Sequence, residues 1–351
     1  MKKIGKSTFE FDKNVYVTGA YSLVGKKEAE GPFGKYFSEK IDDDTLGEKT
    51  FEKAERVMHE KTVRELLNLK DMQDSDIDLL VGGDILNQIV TSNYSAREFD
   101  IPFLGVYSAC SSFTEALLVG ATFIDAGGAK NVISVAGSHF SAAERQYRNP
   151  LEFGNQRQTY SQWTVTGMGA TMLSNKGESN CPKIRKVTIG KVIDFGISDI
   201  ANMGAAMAPA AMNTLVEFFK DTKTLPSDYD LIATGDLGKL GSDILKDLML
   251  EEGYHLGQNY TDCGHMIYSS LQNSFQGGSG AGASASVFNS YIYKKLITGE
   301  FKKVLLLATG ALMSVTTNQQ GDTIPCISHL IMFEGGQKWW VRHCLCMQKS
   351  C

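Results

Sequence analysis

Two stretches of this 351-residue chain spell out the same order of elements, and no other feature narrows the available folds as much. In the first, Lys49–Leu69 carries Ala54, Val57, Met58, Val63, Leu66 and Leu67 at helical spacing and leads into Asp76–Asp84, DIDLLVGGD, a short buried strand ending in a turn. In the second, Asn202–Lys220 carries Met207, Ala210, Ala211, Leu215 and Phe218 and leads into Asp228–Asp236, DYDLIATGD. Further on, a strand at Phe103–Tyr107, a helix at Ser111–Ala126 and a strand at Asn131–Gly137 precede a matching helix at Gly280–Thr298 and strand at Lys303–Gly310. The second copy is longer between Asp236 and Gly282 than the first is between Asp84 and Cys110, which places an insert that includes Asn259–Phe275.

A repeated helix-strand-helix-strand unit implies right-handed crossovers and two mixed sheets that share helices between them. The expected fold class is therefore α/β, with an N-terminal half over 1–182, a C-terminal half over 183–335 and an atypical tail over 336–351. A hydrophobic content of 42% and only 7 prolines suit a large buried core. The formal charge of -5, with no run of basic residues among aromatics, makes nucleic acid a poor partner. The start of the chain reads as mature protein, and the longest apolar stretch, Val304–Met313, is too short to span a bilayer, so a soluble chain is expected. Seven scattered cysteines argue for a reducing compartment. In the tail, His343, Cys344 and Cys346 lack a second ligand pair at zinc spacing, so no metal site is expected there.

The runs SDIDLL, SACSS (Ser108–Ser112), NVISVAGS and VTGMGATMLS (Val165–Ser174) resemble the thiolase and ketoacyl synthase III superfamily. More narrowly, GDILNQIVTSNY (Gly83–Tyr94), SAAERQYRNPLEFG (Ser141–Gly154), MGAAMAPAA (Met203–Ala211), TDCGHMIY (Thr261–Tyr268) and IPCISH (Ile324–His329) resemble the stage V sporulation protein AD family, over Gly5–Glu334. The resemblance implies a thiolase-like fold, two pseudo-repeated α/β halves in a layered α-β-α-β-α arrangement. It also implies binding of dipicolinic acid and its uptake into the developing spore, with calcium carried alongside and no other cofactor, in company with membrane proteins of the same uptake system. The location it implies is cytoplasmic or peripheral to the spore inner membrane. It further suggests a homodimer, formed through Val165–Ser174 as an edge strand.

Cys110 is expected on the first turn of a helix, directly after a buried strand, where unpaired N–H groups and the positive end of the helix dipole favour either a thiolate or a bound carboxylate. Nucleophilic catalysis needs in addition a base and fixed oxyanion donors. The condensing enzymes take these from a His beside the second-half strand and a His or Asn at the glycine-rich turn. Here those places read IATGDLGKL (Ile232–Leu240) and GGSGAGAS (Gly277–Ser284), with neither residue present. A catalytic set, if there is one, would draw on Cys110, His329 and Cys326, with His139 and His265 as other bases. GGSGAGAS also fails the spacing of a phosphate or dinucleotide loop.

A planar dicarboxylate needs donors at its ends and apolar walls. The candidate ligand-binding residues are Cys110, Ser111, Ser112, Asp84, Asn87, Gln88, His139, Arg145 and Arg148. Both arginines also suit an exposed surface. Asp84 and Asp236 end equivalent strands and either shape turns or face a shared cleft, where they would become hard oxygen ligands if calcium arrived with the acid. The missing His and Asn favour a non-catalytic binder of dipicolinic acid, with an acyltransferase using an acyl-Cys110 intermediate as the alternative and a scaffold for membrane partners as a third reading.

Overall fold

The computed structural model describes residues 1–147 and 156–336. Arg148 and the tail cluster of His343, Cys344 and Cys346 lie outside the described residues. The first half contributes β1 (Thr8–Val24), β2 (Leu79–Asp84), β3 (Phe103–Gly105), β4 (Asn131–Ser138) and β5 (Gly167–Ser174), in the spatial order β3-β2-β4-β5-β1. The second contributes β6 (Lys183–Thr188), β7 (Leu231–Thr234), β8 (Tyr260–Asp262), β9 (Lys303–Ala311) and β10 (Cys326–Glu334), in the order β8-β7-β9-β10-β6. Pairing directions repeat with the order. In each half the first two neighbour pairs are parallel and the next two antiparallel.

The sequence predicts two sheets, and the structure joins them. β1 is 17 residues long, a reach of about 55 Å for an extended strand, so it serves both halves. Its first part pairs with β6 and its last part with β5, and the register shifts between Glu10 and Val15 and again between Val17 and Gly19.

Helices fill three layers around this sheet. α1 (Phe51–Lys70) and α2 (Val90–Ala96) cover the outer face of the first half, and α4 (Met203–Thr222) and α5 (Gly238–Glu251) that of the second. α3 (Ser112–Ala126) and α6 (Ala281–Val287) lie between the halves, and α6 runs on through a π turn at Phe288–Ile292 to Ile297. The strands read as continuous apolar runs because both faces are covered. In β9, Val304 and Leu306 join the central core around Phe113 and Phe288, while Leu305 and Leu307 join the outer core around Met207 and Phe218. In β4, Val132 and Ala136 face inward and Ile133 and Val135 face α1. A further link between the halves is Glu28, whose Oε1 accepts the Thr166 N–H at 3.0 Å and the hydroxyl of Tyr268.

Two expectations are corrected. Gly167–Ser174 is an interior strand, paired with β1 on one side and β4 on the other and buried along its length, so Val165–Ser174 has no free edge to offer a second copy. The edges of the ten-strand path are β3 and β8. Because β8 (Tyr260–Asp262) occupies the place that β3 holds in the first half, those three residues belong to the repeat, and most of the extra length of the second copy follows Asp262. Among the described residues, no helix is long and apolar enough to cross a membrane.

Candidate functional site

The site grows out of a sharp turn. Between β3 and α3 the chain passes through Ser108 and Ala109, and Ala109 adopts a φ of 51°, a left-handed conformation that costs a non-glycine residue about 1 to 3 kcal/mol. A single turn of 3-10 helix, Ala109–Ser111, follows and carries Cys110 just ahead of α3. The second half makes room for it. A Cβ at Gly310 in β9 would sit 1.8 Å from the Ser108 carbonyl oxygen, so only glycine allows the turn to rest on that strand. Ser111 and Ser112 then lock the turn. The Ser111 hydroxyl donates to the Ala308 carbonyl at 2.8 Å and accepts from the His329 N–H at 3.3 Å, and the Ser112 hydroxyl donates to the Ala109 carbonyl at 2.7 Å.

Cys110 opens onto a chamber of about 60 Å³ whose wall includes Tyr107, Tyr147, Met203, Met207 and Asp236. The hydroxyls of Tyr107 and Tyr147 are hydrogen-bonded to each other, and Tyr147 also donates to the Ile85 carbonyl. Burial holds both phenols above their ordinary range, so they stay neutral. Across the chamber, Asp236 Oδ2 accepts the Gly280 N–H at 2.8 Å, and the Asp236 carbonyl accepts Gln162 Nε2 at 2.6 Å. Gly280, with a φ of 93°, has its missing Cβ 2.6 Å from Ser138 Oγ. That hydroxyl donates to the Val165 carbonyl at 2.8 Å and accepts from the Gly282 N–H at 3.1 Å. The glycine run of the second half is thus a seat for the end of β4.

Of the residues singled out in the sequence, Cys110 and Asp236 share the chamber wall. Other expected residues lie elsewhere. Asp84 is buried off the chamber, where its carboxylate accepts from Leu86 N, Ser92 N and Ser92 Oγ at 2.8–2.9 Å; burial pushes it up to about 6, against the pull of those bonds. Ser111 and Ser112 spend their hydroxyls on backbone, so neither is a ligand donor. His139 is fully buried, donates Nε2–H to the Asp44 carbonyl at 2.8 Å, lies beside the Phe51 ring and is kept neutral by burial. Arg145 is exposed and points to Glu52 at 3.8 Å. Asn87 and Gln88 line a neighbouring groove.

None of the candidate catalytic partners lines the chamber with Cys110. His329 accepts the Gly190 N–H at 3.4 Å, and burial lowers it to about 4. Cys326 sits in the outer core of the second half, where burial pushes its thiol up to about 12, far from a reactive thiolate. His265 is exposed on the insert beside Lys239. Among the described residues no histidine lines the chamber, and no group of three His, Cys, Asp or Glu side chains is placed to hold a metal ion.

Sequence reasoning missed Tyr107, Tyr147, Met203, Met207 and Met313, all on the chamber wall. Tyr107 had a signal, since it ends the predicted strand just before SACSS. The methionines were visible only as part of MGAAMAPAA, with no role attached.

Comparison with known proteins follows the same lines. A model of the family described as stage V sporulation protein AD matches residues 5–334. The stage V sporulation protein AD of Bacillus subtilis (strain 168) is 44% identical over 334 residues, covering 95% of this chain and 98% of that one. Among solved structures, 3-oxoacyl-(acyl carrier protein) synthase III of Pseudomonas aeruginosa PAO1 superposes with a TM-score of 0.57 at 11% identity, covering 93% of this chain and 99% of that one. Human mitochondrial 3-ketoacyl-CoA thiolase, solved with CoA, gives 0.55 at 12% identity, covering 94% of this chain and 100% of that one. At such identities these two establish a shared thiolase-like fold and nothing about chemistry.

Proposed function

The chain belongs to the stage V sporulation protein AD family, and from that premise we propose that it binds dipicolinic acid at the Cys110 chamber without turning it over, in support of the acid's uptake with calcium into the developing spore. The observation that carries this reading is the composition of the wall facing Cys110. Asp236 and Gly280 stand where an acyl-transfer site would need a base and an oxyanion donor, and no described histidine lines the chamber. What remains suits a flat aromatic acid. Tyr107 and Tyr147 offer ring faces, and Met203, Met207 and Met313 offer polarisable, adaptable contacts.

Asp236 supplies the link to calcium. A carboxylate on the wall repels a bare dicarboxylate but attracts one that carries a hard divalent cation, for which carboxylate oxygen is a natural ligand. In this reading the membrane proteins of the same uptake system receive the ligand from this chain. An acyltransferase using Cys110 is the second reading, favoured by the strained turn at Ala109 that presents the thiol to the chamber.

Calorimetric titration with dipicolinic acid, with and without calcium, separates the two when benzoate and an acyl-coenzyme A serve as controls. Binding predicts saturable heat with the dicarboxylate, strengthened by calcium and retained in Cys110→Ser, with no acyl adduct on Cys110 by intact mass. An acyl adduct that Cys110→Ala abolishes, without dicarboxylate binding, would establish the enzyme instead.

A further inference from the structure

Two cavities adjoin at Tyr107 and Met313, and Cys110 lines only the inner one. The inner chamber, about 60 Å³, is the smaller. Beside it lies an open groove of about 480 Å³, lined by Asn87, Gln88, Ile89, Leu312, Ser314 and Thr317. Tyr107 and Met313 line both, so these two side chains are the partition between groove and chamber. We propose that the groove is a receiving site for the aromatic acid, and that displacement of Tyr107 and Met313 opens it to Cys110. The receiving role rests on the dipicolinic acid reading above; the partition does not.

Size makes the first argument. A chamber of about 60 Å³ holds only a handful of water molecules. A ring dicarboxylate has about a dozen heavy atoms, and a site that buries most of such a ligand needs several times more room. The groove has that room, and the chamber gains it only when the partition moves.

The partition is built from side chains that can move. Tyr107 is 42% exposed, so its ring reaches from chamber to surface, with its hydroxyl hydrogen-bonded to Tyr147. Met313 is buried, but an unbranched thioether with three rotatable bonds repacks at little cost. Neither is held by an ion pair.

The groove's lining fits an acid arriving from water. None of its residues is charged, so a carboxylate meets no repulsion there. Asn87 and Gln88 are exposed and present amide N–H donors. Their position is fixed at some cost, because Gln88 and Ile89 take successive left-handed φ values of 60° and 46°, the second on a β-branched residue. The Asn93 side chain steadies this turn by donating to the Gln88 carbonyl at 2.8 Å. Ser314 and Thr317 bond to each other across the start of a short helix, leaving the two amides as the adaptable donors.

Alkylation of Cys110 tests the partition without any ligand. Wild-type protein would be treated with iodoacetamide and with a bulky maleimide, and the rate read at the Cys110 peptide by mass spectrometry so that other cysteines do not interfere. Tyr107→Ala and Met313→Ala should each speed the bulky reagent tenfold or more while changing the small one less than threefold. Tyr107→Phe, which keeps the ring and loses the Tyr147 bond, should give a smaller increase and guards against misfolding in the alanine variants. Thr317→Trp, which fills the groove, should slow both reagents about tenfold with an unchanged melting temperature. Unchanged labelling in Thr317→Trp, or no gain for the bulky reagent in the partition variants, would overturn the path. Stopped-flow binding then tests the receiving role: Asn87→Ala/Gln88→Ala should slow dipicolinic acid association several-fold. An unaltered association rate would overturn that role with the path intact, and absence of binding to wild-type protein would remove it together with the dipicolinic acid reading.

Discussion

The two halves place the same strands and helices around one chamber, yet they treat it differently. The first half presents a thiol on a strained turn and hides its strand-end carboxylate, Asp84, among three donors. The second half puts its strand-end carboxylate, Asp236, on the chamber wall and opens its central helix with a glycine that seats the other half. Equivalent positions in the fold therefore do not carry equivalent chemistry. One half offers a thiol, and the other has a charged and glycine-rich surface where a reacting pair would have to sit.

The largest effect should come from forcing the halves apart where they touch. Gly310→Ala places a methyl group in the path of the Ser108 carbonyl, so the turn bearing Cys110 must shift. We expect a loss of about 3 to 5 kcal/mol in denaturant unfolding, or failure to fold. A loss below about 1 kcal/mol would show that the turn does not depend on the second half.

The next test concerns the buried clamp across the halves. Burial raises Glu28 to about 7, against the pull of Tyr268 and Thr166. Because its folded value lies above the unfolded one, the stability it contributes is full below about pH 4.5 and is lost as pH rises through 7. Glu28→Gln keeps an acceptor for both donors and removes the titration. Its unfolding free energy should therefore escape a decline on the order of 3 kcal/mol between pH 5 and 8 that the wild type shows. Parallel pH profiles for the two proteins would refute the clamp.

The two strand-end aspartates give the finest contrast. Asp84→Ala strands three buried donor groups and should cost about 2 kcal/mol of stability while ligand affinity stays within twofold. Asp236→Asn should leave the melting temperature within a few degrees but reduce the gain in dipicolinic acid affinity from calcium about tenfold. Calorimetry and thermal melts on the pair decide the matter, and an exchange of the two phenotypes would invert the comparison.

The repeat made the sheet legible. Strands buried on both faces, such as β4 and β9, appear as mostly apolar runs, and the Asp that closes each copy falls at or just past a strand end. β1 was not legible because exposed Asp12, Lys13 and Asn14 interrupt it where it passes from one half to the other. Cys110 could be placed at a pocket from its turn, but the repeat treated Asp84 and Asp236 alike and did not say which of them lines it. The rest of the wall was not legible, because helix geometry decides it. On the helix Phe140–Tyr147, Ala143 and Tyr147 are four apart and both line the chamber, whereas Arg145, midway between them, turns to Glu52. A charged side chain suggested ligand contact, and the tyrosine two positions later occupies the wall instead.

The most direct test of the central claim is protection of Cys110 from alkylation by dipicolinic acid, followed at the Cys110 peptide with calcium present and benzoate as control. If the acid occupies the chamber beside Cys110, protection should be saturable, should reach tenfold or more, and should follow the calorimetric binding curve. An alkylation rate unchanged at saturating dipicolinic acid would place the ligand elsewhere and contradict the account.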